Sequence, residues 1–164
     1  MPYLLDANVF IQANRLHYGL DFCPAFWDWL IKNNGAGRVF SIEKVGDEVE
    51  AGGDKLVEWA AKRGAGFFLK PDTAIMPALS RVSTWATGQR YEPAAVSTFL
   101  QVADYYLVAH TLAHKFTVVT HEIASSSTKR IKIPDACIAL SIKHMTPFEM
   151  LRHERARFVL GPNA

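Results

Sequence analysis

The chain has 164 residues, 49% hydrophobic and 21% charged, with a formal net charge of +2 at pH 7. That length predicts a single domain spanning 1–164, with enough apolar content to bury a core without a disulfide framework or structural metal. No tract is biased toward disorder, no run of about 18 apolar residues predicts a membrane span, and the start lacks the basic and apolar segments of a signal peptide. In chain order, Tyr3-Leu4-Leu5 reads as a short buried strand that stops at Asp6, and residues 8 to about 16 read as a helix. A second helix opens at Pro24, a favourable first-turn residue, and ends at Asn34-Gly35; Phe26, Trp27, Leu30 and Ile31 form its apolar stripe. Arg38 to Ile42 predicts a strand, Glu43 to Ala51 a helix broken by Gly52-Gly53, and Lys55 to Arg63 a helix capped by Asp54. Phe67-Phe68-Leu69 reads as a strand or buried connector, residues 73 to 88 as a helix, and Gln89 to Pro93 as a turn.

The second landmark is a helix from about Ala103 to His114 followed by Phe116-Thr117-Val118-Val119-Thr120, a β-branched run that reads as a buried strand. A polar loop at Ser125 to Thr128 leads to Ile131-Lys132-Ile133, expected as a short strand stopped by Pro134, and then a helix to about Ile142. Thr146-Pro147-Phe148-Glu149 has the form of a capping box and starts a further helix. Phe158-Val159-Leu160 is a candidate last strand. Short strands alternating with helices predict an α/β fold with a mostly parallel central sheet covered on both faces.

Three acids stand out. Asp6 falls at the carboxyl end of the first strand, the edge where ligands bind in open parallel sheets; at that position it either caps the next helix or serves a site. Asp104 lies four residues from Leu100 and Val108 and three from Leu107, on or beside the apolar stripe. An inward carboxylate needs a partner: a metal ion, a salt bridge or a helix cap. Glu48 borders the stripe of Val45, Val49, Gly52 and Leu56; taken singly, a solvated helix face is the simpler reading, and Glu43 competes with it. The strand ending at Val119 repeats the arrangement at Asp6, with Thr120-His121-Glu122 at its carboxyl end. Converging oxygen ligands on one sheet edge suit Mg²⁺ or Mn²⁺, which can activate water toward a phosphodiester.

The succession Leu4-Leu5-Asp6-Ala7-Asn8, Asp47-Glu48-Val49, Ala103-Asp104-Tyr105-Tyr106-Leu107-Val108-Ala109-His110 and Thr117-Val118-Val119-Thr120-His121-Glu122 resembles a PIN domain. With Ile131-Lys132-Ile133-Pro134-Asp135-Ala136-Cys137 it resembles, more narrowly, the PIN-like DUF4411 proteins akin to VapC ribonuclease toxins. The likeness runs from Tyr3 to about Leu160. It implies a three-layer α/β/α sandwich and a Mg²⁺- or Mn²⁺-dependent endoribonuclease, the toxin of a bacterial toxin–antitoxin pair, with an RNA substrate, a cognate antitoxin protein and a homodimer as partners. By position, Asp6, Glu48 and Asp104 match the family's acids, Asn8 its small polar residue near the first acid, and Thr120 the threonine after the later strand. Glu122 stands where the family commonly carries Asp or Asn; with Asp6, Glu48 and Asp104 it completes the candidate metal ligands, and Thr120 and Glu122 support water or a second ion. Asp135 either approaches the site or, the favoured reading, caps the helix after Pro134.

Other chemistries are not supported. GxGxxG, GxxxxGK[ST] and GxSxG are absent. His110 and His114 have zinc-compatible spacing without the HExxH glutamate and read as polar-face residues. Cys23 and Cys137 lack CxxC spacing and point to reduced thiols in a cytoplasmic protein with no membrane association. Lys129, Arg130, Lys132, Lys143, Arg152, Arg155 and Arg157 gather in the last third, but the net charge is too small to indicate nucleic acid by itself; Lys129, Arg130 and Lys132 are candidate RNA-backbone contacts. Phe22, Phe26, Trp27 and Trp29 read as core or interface rather than a base-stacking platform. A catalytically weak interaction module and a DNA-directed nuclease remain the alternatives.

Overall fold

A computed structural model describes residues 1–161; positions 162–164, the end of the expected domain span, lie outside them. Their organising feature is a parallel sheet, in the order β3-β2-β1-β4-β5 among the described residues. Its strands are β1 (Tyr3–Leu5), β2 (Val39–Ile42), β3 (Phe68–Leu69), β4 (Thr117–Val119) and β5 (His144–Met145). Both neighbours of β1 run parallel to it, with Tyr3 opposite Val39 on one side and opposite Thr117 on the other. A strand buried on both faces needs apolar residues throughout, and Tyr3-Leu4-Leu5 and Thr117-Val118-Val119 are buried at every position.

The helices are α1 (Ala7–Gln12), α2 (Pro24–Gly35), α3 (Glu43–Glu50), α4 (Lys55–Ala61), α5 (Ile75–Thr87), α6 (Pro93–Gln101), α7 (Ala103–His114), α8 (Ile133–Ala139) and α9 (Pro147–His153). Layered on the sheet, they make the three-layer α/β/α sandwich. α7 touches β2 and β4 as well as α3, α5, α6 and α8, so it is the central helix of its layer. An aromatic cluster binds α1, α4 and β3 together: the Phe10 ring meets Trp59, Phe67 and Phe68 at centroid distances of 5.8, 6.1 and 6.0 Å. Trp59 carries the cluster on to Trp27 of α2 at 4.9 Å. Phe26 and Trp27 are thus core, Trp29 is half-buried and Phe22 is exposed.

Several sequence expectations change. Pro93, the expected end of the turn from Gln89, instead opens α6, which runs to Gln101 through residues 94–101, for which the sequence predicted no element. Ile131-Lys132-Ile133 is not a strand, because β5 occupies the free edge of β4, and Ile133 with Pro134 begins α8 instead. β5 is only two residues long, too short to leave a periodic pattern. Phe158-Val159-Leu160 also forms no strand: Phe158 packs its ring on Tyr18 and Phe26, while Val159 and Leu160 are exposed. His110 is not a polar-face residue. The packing of α5 against α7 leaves it 2% exposed, with neither ring nitrogen hydrogen-bonded. His114 keeps contact with solvent and pairs with Asp72 at 2.8 Å. No helix among the described residues is long and apolar enough to cross a membrane.

Candidate active site

From β1 the chain builds β2 and β3 on one side, then returns to lay β4 and β5 on the other. The order reverses between β1 and β4, and a crevice is expected at the carboxyl ends of those two strands. The register sets Leu5 opposite Val119, so the next residues, Asp6 and Thr120, emerge side by side. Asp6 N–H donates to the Val119 carbonyl at 2.9 Å, which fixes that level.

Asp6 is 4% exposed. One carboxylate oxygen accepts from Ala7 N–H at 2.7 Å, making Asp6 the cap of α1; the other accepts from Thr120 Oγ1–H at 2.8 Å. Both readings of this acid are therefore compatible in one residue. The Thr120 hydroxyl is a hub, since it also accepts from Asn8 Nδ2 at 3.2 Å and from Glu122 N–H at 3.1 Å. Asn8 in turn accepts from His121 N–H at 3.1 Å, so the start of α1 is stitched to the end of β4.

A cleft of about 500 Å³ opens here, lined by Asp6, Asn8, Glu48, Asp104 and Glu122. α3 brings Glu48 and the first turn of α7 brings Asp104, so the acids arrive from separate elements. Glu48 is exposed and Asp104 half-buried. Burial, then the charge of Asp104, pushes the Asp6 carboxyl up to about 8, against the pull of the Thr120 hydrogen bond. Burial, then the charges of Glu122 and Glu48, pushes Asp104 up to about 7, with Arg130 acting in the opposite sense. Although Glu48 as a whole is exposed, desolvation of its carboxyl by the surrounding protein also raises its pKa. The cleft thus disfavours ionisation of its acids, and a bound cation would relieve that penalty.

The donor set is all oxygen, the chemistry that hard divalent cations take. Among the described residues no three His, Cys, Asp or Glu side chains meet as a compact ligand cage; the acids face one another across the cleft. Glu122 uses both carboxylate oxygens locally, accepting from Ile133 N–H at 2.8 Å and from an Arg130 Nη at 3.2 Å. It, and not Asp135, holds the first N–H of α8. Asp135 accepts from Ser125 N–H at 3.1 and 3.2 Å, so the cap expected of it is not made, and it does not line the cleft.

Of the basic residues of the last third, Lys129 and Arg130 line the cleft and Lys132 does not. The wall that sequence reasoning missed is α6, through Ala94, Ala95, Thr98 and Phe99, joined by Ile11 and Gln12 of α1. Pro93 followed by Val96, Phe99 and Leu100 at helical spacing was the available signal.

Residues 3–158 match the family described as a domain of unknown function, DUF4411, and the chain belongs to that family. No curated protein and no solved structure matches it.

Proposed function

We propose that the protein is a metal-dependent endoribonuclease of PIN-like type, acting as the toxin of a toxin–antitoxin pair. The observation that carries this reading is the convergence of Asp6, Glu48, Asp104 and Glu122 on one cleft at the strand switch point, where burial and then neighbouring acids raise the pKa of Asp6 and Asp104. Asp6, Glu48 and Asp104 would hold Mg²⁺ or Mn²⁺; Glu122 stands beside them, its carboxylate engaged by Ile133 N–H and Arg130. When bound, such an ion acidifies water and stabilises charge on phosphoryl oxygens. Thr120 holds Asp6 in one orientation and Asn8 ties that acid's helix to β4. Water oxygen bonds to phosphorus as one P–O ester bond breaks. The water's proton passes to a cleft carboxylate, and the leaving oxygen takes a proton from solvent. Lys129 and Arg130 give the cleft a cationic rim suited to a polyanion. An antitoxin covering the cleft, a homodimer and a reducing cytoplasm belong to the same proposal; Cys23 and Cys137 are both free thiols.

The test is cleavage of a mixed RNA pool by purified protein, with and without Mg²⁺ or Mn²⁺, beside Asp104→Asn. Metal-dependent cutting that disappears in the variant supports the reading. Undiminished cutting by Asp104→Asn sinks the assignment, and preferential cutting of single-stranded DNA redirects it to a DNA-directed nuclease.

A further inference from the structure

The Glu122 side chain is 10% exposed, whereas the Arg130 side chain it holds is 63% exposed. The carboxylate is anchored on the far side by Ile133 N–H, and its own backbone N–H is fastened to Thr120 Oγ1. The segment between them is pinned as well, through Ser125 N–H to Asp135 and Glu92 N–H to the Thr128 carbonyl. A rigid acid thus holds a guanidinium at the wall of the cleft that contains Asp6, Glu48 and Asp104. Guanidinium carries five N–H donors in a planar fork, and the single contact to Glu122 leaves most of them for another acceptor. A phosphate with two non-bridging oxygens matches that fork.

We infer that Arg130 is a further catalytic residue that grips a non-bridging oxygen of the scissile phosphodiester, and that Glu122 is the positioning residue that aims it rather than a cation ligand. This rests on the nuclease reading above. As the water–phosphorus bond forms and the ester bond breaks, negative charge gathers on the phosphoryl oxygens, where a fixed guanidinium stabilises it without giving up a proton.

The experiment pairs single-turnover cleavage with Mn²⁺ affinity by calorimetry, for the wild type, Arg130→Ala, Arg130→Lys, Glu122→Gln, the Arg130→Ala/Glu122→Gln double variant and Asp104→Asn. Arg130→Ala is expected to lower the cleavage rate about 100-fold, and Arg130→Lys to recover only part of it because the fork is lost. Glu122→Gln should lower the rate about 10-fold, and adding it to Arg130→Ala should cost nothing further, since it acts through that arginine. Mn²⁺ affinity should stay within about twofold of wild type in all Arg130 and Glu122 variants. Wild-type rates in Arg130→Ala beside an inactive Asp104→Asn overturn the inference and leave the nuclease reading standing. Weakened Mn²⁺ binding in Glu122→Gln returns Glu122 to the cation ligands and overturns its positioning role. A wild-type protein that neither cuts RNA nor binds Mn²⁺ overturns the nuclease reading and this inference with it.

Discussion

Neutralising Asp104 should make the metal-free protein more stable while removing its activity. The carboxyl is pushed from 3.8 to about 7, first by burial and then by Glu122 and Glu48. The folded-state pKa lies above the unfolded one, so between these values the folded chain holds a proton that the unfolded chain has lost. The stability so conferred is fully present below about pH 4 and is lost as pH rises through about 7. Each pKa unit corresponds to about 1.4 kcal/mol. Partial exposure and sharing of the strain among several acids reduce the sum to about 1–2 kcal/mol at pH 8. In chelator at pH 8, Asp104→Asn should therefore melt about 2–8 °C above wild type, and the gap should close as pH falls toward 4. Adding Mn²⁺ at 100 times its dissociation constant stabilises the wild type by about 2.7 kcal/mol, and the order of the two proteins should reverse. Calorimetric melting across pH, with and without metal, reads all three effects. An Asp104→Asn protein that melts below wild type at pH 8 in chelator, with a gap that pH does not move, would show that this carboxylate is structural.

Thr120→Val keeps the shape but removes the hydroxyl shared by Asp6, Asn8 and Glu122; a loss of about 1–3 kcal/mol is expected in urea denaturation, and an unchanged midpoint would refute the hub. The same change removes a donor to ionised Asp6, so Mn²⁺ affinity at pH 7 should fall in calorimetry. Gly46→Ala would put a Cβ 3.1 Å from the Phe68 ring, shifting α3 and the Glu48 it carries; about 1–2 kcal/mol of destabilisation is expected by chemical denaturation. His110→Leu removes two buried, unpartnered ring nitrogens and should melt at or above the wild-type temperature. Burial, and secondly His114, depresses the His110 pKa below 6.5, so the wild type loses stability as pH falls through and below that range, a loss the Leu variant should be spared in acid titration.

Local chemistry in the chain was enough to specify β1, β2 and β4, whose apolar or β-branched runs can be buried on both faces, and most of the helices, whose capping and punctuation are short-range. It was also enough to mark Asp6, Asp104 and Thr120, because a polar group at a strand end or on an apolar stripe is conspicuous against its neighbours. The order of strands was not legible in this way. Nothing in Tyr3–Leu5 or Thr117–Val119 says that they are adjacent; that adjacency is a long-range pairing, and it alone brings Asp6 within 2.8 Å of the Thr120 hydroxyl. The same holds for β5, which exists because β4 offers an edge, and for Ile131 to Ile133, whose strand-like composition gives way once that edge is taken. Glu122 capping α8, and His110 disappearing under α5, are likewise outcomes of packing between distant segments. A residue's type is written in the sequence, but its partner, its solvent exposure and hence its pKa are set by neighbours that only the folded chain assembles.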